Sequence, residues 1–96
     1  MKTLRKKVLY GTDTLVQKGD EFYQIELSED PDFEGCSFQV TTFRGLAGSP
    51  PPHPENSQSF QTLELATDTF DNIARELETK GLRQYNPAVH GPDKPF

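Results

Sequence analysis

Apolar and polar positions alternate along three stretches in the first half of the chain. From Leu4 to Tyr10, Leu4, Lys6 and Val8 alternate with Arg5, Lys7 and Leu9, which predicts a short strand stopped by Gly11. The alternation is clearest from Glu21 to Ser28. Tyr23, Ile25 and Leu27 fall on one face and Gln24, Glu26 and Ser28 on the other, the pattern of a half-buried antiparallel strand. Ser37 to Phe43 predicts a third strand, with Phe38, Val40 and Thr42 sharing a face. Ser59 to Leu65 predicts a fourth, in which Phe60 is out of phase with Leu63 and Leu65, an offset that a bulge or a change of packing face accounts for. The period then changes from two to 3.6. Phe70, Ile73, Ala74 and Leu77 recur at i, i+3, i+4 and i+7 and predict a helix from Asp68 to Lys80. Thr67 or Asp68 can cap its start, and Gly81 sits where a left-handed C-terminal cap lets Leu82 fold back on Leu77.

The connections are rich in turn formers. Residues 29–36 (EDPDFEGC) read as an acidic turn, and residues 49–58, with four prolines between Pro50 and Pro54, as an irregular or polyproline-like loop. Beyond Tyr85 the sequence NPAVHGPDKPF shows no periodicity and reads as an irregular tail over 86–96. The expectation is one α+β domain over residues 1–85: a small antiparallel sheet of about four strands with one C-terminal amphipathic helix on one face. Its expected core is Val8, Tyr23, Ile25, Leu27, Phe38, Val40, Leu63, Phe70, Ile73 and Leu77. Composition agrees with a thin core. The apolar share is 32%, against ~45–50% (glycine included) for an average globular chain.

The net charge of −5 conceals a polarity. Residues 1–10 hold Lys2, Arg5, Lys6 and Lys7 and no acid, whereas residues 11–35 hold eight acids against Lys18 alone. A basic first strand beside an acidic second strand predicts charge pairing across the sheet.

The sequence assembles no reaction chemistry. Cys36, His53 and His90 stand at no metal-ligand spacing from one another, and the acids of residues 29–34 lack the alternation and the glycine of a calcium loop. Neither histidine lies on a predicted rigid element from which it could serve Cys36 or a serine as a base. Gly45 and Gly48 are not followed by a phosphate-binding lysine and helix. No catalytic residue, metal or cofactor is therefore expected. No apolar run is long enough for a transmembrane helix or a secretory segment, and a lone Cys36 suits a reducing, cytoplasmic setting.

Taken in order, the segments resemble the WGR domain, a small antiparallel sheet with a helix packed on it, found in poly(ADP-ribose) polymerases and in many bacterial proteins. The resemblance rests on Phe22-Tyr23-Gln24-Ile25-Glu26-Leu27, then Val40-Thr41-Thr42-Phe43-Arg44-Gly45-Leu46-Ala47-Gly48, then Phe60 to Leu65 and the helix to Gly81-Leu82. Both glycines of the family's signature segment fall in register, but Arg44 stands at its tryptophan position and Leu46 at its arginine position. The resemblance implies a nucleic-acid-binding ancestry in which that tryptophan and arginine contact a DNA end. Exchanging a guanidinium for an isobutyl group at Leu46 removes a charge-assisted phosphate contact.

Two functional expectations follow. The first is a non-catalytic module that binds or inhibits a protein partner through acidic and loop surfaces, with Asp30, Asp32 and Glu34 on the turn and Phe43, Arg44 and Leu46 at the loop base. The alternative, implied by the resemblance, is a module binding nucleic acid, with Lys2, Arg5, Lys6, Lys7 and Arg44 on phosphates.

Overall fold

Four antiparallel strands succeed one another as a meander: β1 (Lys2–Tyr10), β2 (Glu21–Glu29), β3 (Phe38–Leu46) and β4 (His53–Phe60). Helix α1 (Leu63–Thr79) then crosses the sheet and delivers a two-residue strand, β5 (Arg83–Gln84), to the far side of β1, followed by a one-turn helix α2 (Pro87–His90). The sheet order is β4-β3-β2-β1-β5. These elements come from a computed structural model that describes residues 2–30, 37–48 and 52–91. The expected α+β arrangement, a small antiparallel sheet with a helix packed against it, is the architecture observed.

The helix side of the sheet is built from the period-two strands. Leu9, Ile25, Leu27 and Val40 are fully buried beneath Ala66, Phe70, Ala74 and Leu77, which fall on one stripe of α1. A register shift between Thr3 and Arg5 changes the phase of β1, so Leu4 packs against the same cluster as Leu9. The C-terminal cap is as expected. Gly81 has φ +98°, its N–H donates to the Glu78 carbonyl, and the Leu82 N–H donates to the Leu77 carbonyl.

Three expectations are corrected. The fourth strand is His53–Phe60, which begins within the stretch read as an irregular loop and shares only Ser59 and Phe60 with the strand expected to run to Leu65; residues 63–65 instead begin the helix. β4 is an outer strand whose polar side chains face water on both sides, so it carries no alternation to read, and Pro54 is tolerated on an edge beside the register shift between Thr42 and Phe43. Helix α1 starts five residues earlier than expected, because Ala66 extends the apolar stripe one turn back and the Thr62 side chain caps the Leu65 N–H. The core differs accordingly: Leu63 is 46% exposed, Tyr23, Phe38 and Ile73 lie at its margin, and Leu9, Tyr10 and Phe22 are buried.

The third correction concerns the tail, which is ordered structure through Gly91. Val8, Tyr10 and Phe22 form a second cluster on the opposite side of the sheet, joined by Val16 and Tyr85. His90 closes this side. Its Nδ1 accepts from the Asn86 N–H at 3.0 Å, which leaves the proton on Nε2 to donate to the Thr12 carbonyl at 2.7 Å. The Tyr85 hydroxyl donates to the Gly91 carbonyl, and the imidazole lies 4.9 Å from the Tyr10 ring.

Tyr10 is wholly buried, and its hydroxyl has no hydrogen-bond partner among the described residues. Burial, with a smaller contribution from Tyr85, pushes its pKa up to about 12. The unfolded phenol ionises near 10, so the folded state holds the proton longer. The stability linked to this group is complete below about pH 10 and disappears between about pH 10 and 12, amounting to about 2–3 kcal/mol. Tyr10→Phe is expected to remove that part of the alkaline loss in chemical denaturation. At neutral pH the variant is expected to gain about 1 kcal/mol, by deleting a buried unpaired hydroxyl. His90→Ala, which abandons two hydrogen bonds and a ring contact, is expected to lower stability by about 2–4 kcal/mol in the same measurement.

Candidate functional site

The end of the sheet where β2 begins and β3 ends carries the densest polar arrangement among the described residues. Antiparallel register sets Glu21 opposite Leu46, Tyr23 opposite Arg44, and Arg44 opposite His53 on β4. Arg44 donates from Nη2 to Glu21 at 2.9 Å, and its Nη1 lies 3.7 Å from Glu55. The bond to Glu21, with the charges around it, raises the guanidinium further above its already high pKa. Burial first, and then the Glu21 charge, raise the Tyr23 phenol. Beside this network an open groove of about 380 Å³ is lined by Gly11, Glu21, Tyr23, Lys80, Gly81 and Leu82. Leu46, opposite Glu21 on β3, is 46% exposed.

The backbone around the rim is fixed by local bonds. The Ala47 N–H donates to the Asp20 carbonyl and the Gly19 N–H to the Ala47 carbonyl, both at 2.8 Å, while the Asp20 carboxylate accepts from the Gln17 N–H. Gly45 permits a close approach. A Cβ there would stand 2.8 Å from Phe22 Cζ and 3.0 Å from Pro52 Cβ, so the strand lies flat on the aromatic ring only because the residue is glycine.

The residues expected to bind a protein partner are not brought together. Arg44 and Leu46 share a face and an end of β3. Phe43 faces the other side, opposite Gln24, and is half-buried. Asp30 lies at the far end of the sheet, its N–H donating to the Ser37 carbonyl. The nine residues of β3 separate the two ends by about 27 Å at ~3.3–3.4 Å per residue. Asp32 and Glu34, like Cys36, lie outside the described residues.

The basic set is likewise divided. Lys2 is opposite Glu29 and Lys6 opposite Glu26, which gives the expected alignment of the basic strand with the acidic one. Arg5 turns to the helix side, 3.6 Å from Asp71 and with its guanidinium carbon 4.9 Å from the Phe70 ring centre. Lys7 lines a shallow pocket there with Asp71, Ala74, Arg75 and Glu78. Lys6 alternates to the other side, and Arg44 is two strands away. The bases thus point to both sides of the sheet and are interleaved with acids.

Sequence reasoning missed Glu21 and Glu55 as partners of Arg44, and Lys80 as a residue lining the groove. Each was visible only as one charge among many; the meeting of Glu21 and Glu55 at Arg44 depends on strand register and on β4, which carries no periodic signal. Among the described residues no group of three or more His, Cys, Asp or Glu side chains could hold a metal ion, and no helix is long and apolar enough to cross a membrane. No family model matches the chain, and no curated protein or solved structure matches it.

Gly45→Ala is expected to destabilise the domain by about 1–3 kcal/mol, because a buried aromatic ring must give way. Leu46→Ser, on the exposed rim, is expected to change stability by less than about 0.5 kcal/mol. Paired thermal unfolding curves distinguish the two.

Proposed function

We propose that the protein is a small, non-catalytic interaction module that binds, and so can inhibit, a protein partner. The supporting observation is the exposed Leu46 beside the Glu21–Arg44–Glu55 network and its groove. Glu21 and Glu55 outnumber Arg44 within that network, Lys80 faces the groove beside it, and Leu46 offers apolar area that water covers in the free chain. A partner segment presenting an apolar side chain next to a base fits both features. Asp30 stands at the other end of the sheet, and the overall charge of −5 favours encounter with basic partners. A cytoplasmic location belongs to the same proposal.

WGR-type binding of a DNA end is the second reading. Its support is the segment order quoted above, with Gly45 near the end of β3 and Gly48 in the turn that follows it. Arg44 is already engaged by two carboxylates, and the remaining bases face both sides of the sheet, so phosphates have no single surface to meet.

Affinity capture at moderate salt tests the first reading, with the wild type, Leu46→Asp and Asp30→Lys as baits. The wild type is expected to retain a specific protein that Leu46→Asp binds at least about tenfold more weakly. Identical captured sets from all three baits would sink it. Gel-shift with nicked, blunt and single-stranded probes at low salt tests the second. Retardation that weakens steeply with salt and is lost in Lys6→Glu transfers the conclusion to nucleic acid.

A further inference from the structure

The two outer edges of the sheet are protected unequally. On β1, β5 covers Leu9 and Tyr10, and the uncovered remainder carries Lys2, Arg5, Lys6 and Lys7. Charged side chains on an outer strand oppose pairing with another sheet. On β4, seven residues are exposed and the eighth, Phe60, is half-buried. Its proline and its carboxylate, Pro54 and Glu55, both lie near its start, so the run Asn56–Phe60 has no strand on its outer side among the described residues and neither a charge nor a proline to deter pairing.

We propose that β4 of one copy pairs antiparallel with β4 of a second copy, joining their sheets through Asn56–Phe60. This inference is independent of the surface at Leu46. Three observations select a second copy as the occupant. First, the strand is self-complementary. A two-fold axis perpendicular to the sheet keeps each side chain on its own side, so the pairing centres on a residue. Centred on Gln58, it sets Ser57 opposite Ser59 and Asn56 opposite Phe60 of the other copy. The register with β3 places Asn56, Gln58 and Phe60 on the helix side and Ser57 and Ser59 on the other, so both sets match. The two Gln58 amides, each donor and acceptor, meet across the axis, and Glu55 falls opposite neutral Gln61.

Second, the joint closes. Pairing β4 with β1 of the next copy would propagate without end, and the lysines and β5 on β1 oppose it. Third, exposed apolar area lies near the seam. Asp71 reaches Arg5 on the β1 side of α1, so at 100° per residue Leu65, Thr69 and Ile73 lie on the flank toward β4, together with the polar Asn72 and Glu76 further along the helix. Leu65 is 53% exposed among the described residues of the single chain.

Sedimentation equilibrium of the full chain, from micromolar to near-millimolar concentration, tests the proposal. The wild type is expected to approach twice its 10.8 kDa mass at the upper end. Gln58→Lys and Gln58→Glu alone each place like charges across the axis and are expected to weaken association at least about tenfold. An equimolar mixture of the two is expected to associate at least as well as the wild type. Circular dichroism confirms that both variants fold, as expected at an exposed position. A wild type that stays monomeric throughout, single variants that dimerise unchanged, or a mixture that stays monomeric would each overturn pairing at Gln58.

Discussion

Leu9 and Tyr10 are neighbours in sequence, project to opposite sides of the sheet and are both fully buried. Everything else in the structure is arranged around covering these two side chains at once. An amphipathic helix suffices for Leu9, because α1 brings a stripe of four buried residues across three strands. Tyr10 has no such partner. Its side is covered by the connection between β1 and β2 and by the C-terminal segment, which meet at His90. A chain with few apolar residues thereby buries both sides of its central strands, using aromatic rings where aliphatic mass is scarce.

The same economy governs the charges. The basic first strand and the acidic second strand lie opposite one another, and Arg5 and Arg44 each turn to a carboxylate on a different element. Exposed pairs of this kind contribute little to stability, about 0–1 kcal/mol each. Their effect is to decide which surfaces are available. The bases of β1 face acids on β2 and α1, whereas Arg44 lies between two carboxylates close to the exposed Leu46. That contrast, rather than net charge, is what the proposed reading rests on.

How much was legible in the sequence followed from how each element meets the core. β2 lies between two strands with one side under α1, so its alternation is complete and it is placed within a residue of its observed limits. β4 meets solvent on both sides, and a strand with no buried side has no hydrophobic period to detect. Leu63 and Leu65 imitate a strand because they alternate, although both belong to the first helical turn, where they overhang the sheet. The order in the tail was hidden for another reason. Asn86 and His90 acquire meaning only through Thr12, a partner that no local pattern points to. Of the candidate site, Arg44 and Leu46 were visible because they interrupt a strand at a glycine, while Glu21 and Glu55 required the register of three strands.

The bond between His90 and Thr12 spans 78 residues of sequence. Closing so long a loop has a large entropic cost, and the meander from β1 to β4 needs only short connections between successive strands. The helix side is no more local, since Leu9 packs with Ala66, Phe70, Ala74 and Leu77, 57 or more residues away in sequence. The histidine that looks like a detail of the final structure therefore works as a clasp between the start of the chain and its C-terminal segment, with the Tyr10 ring held beneath it.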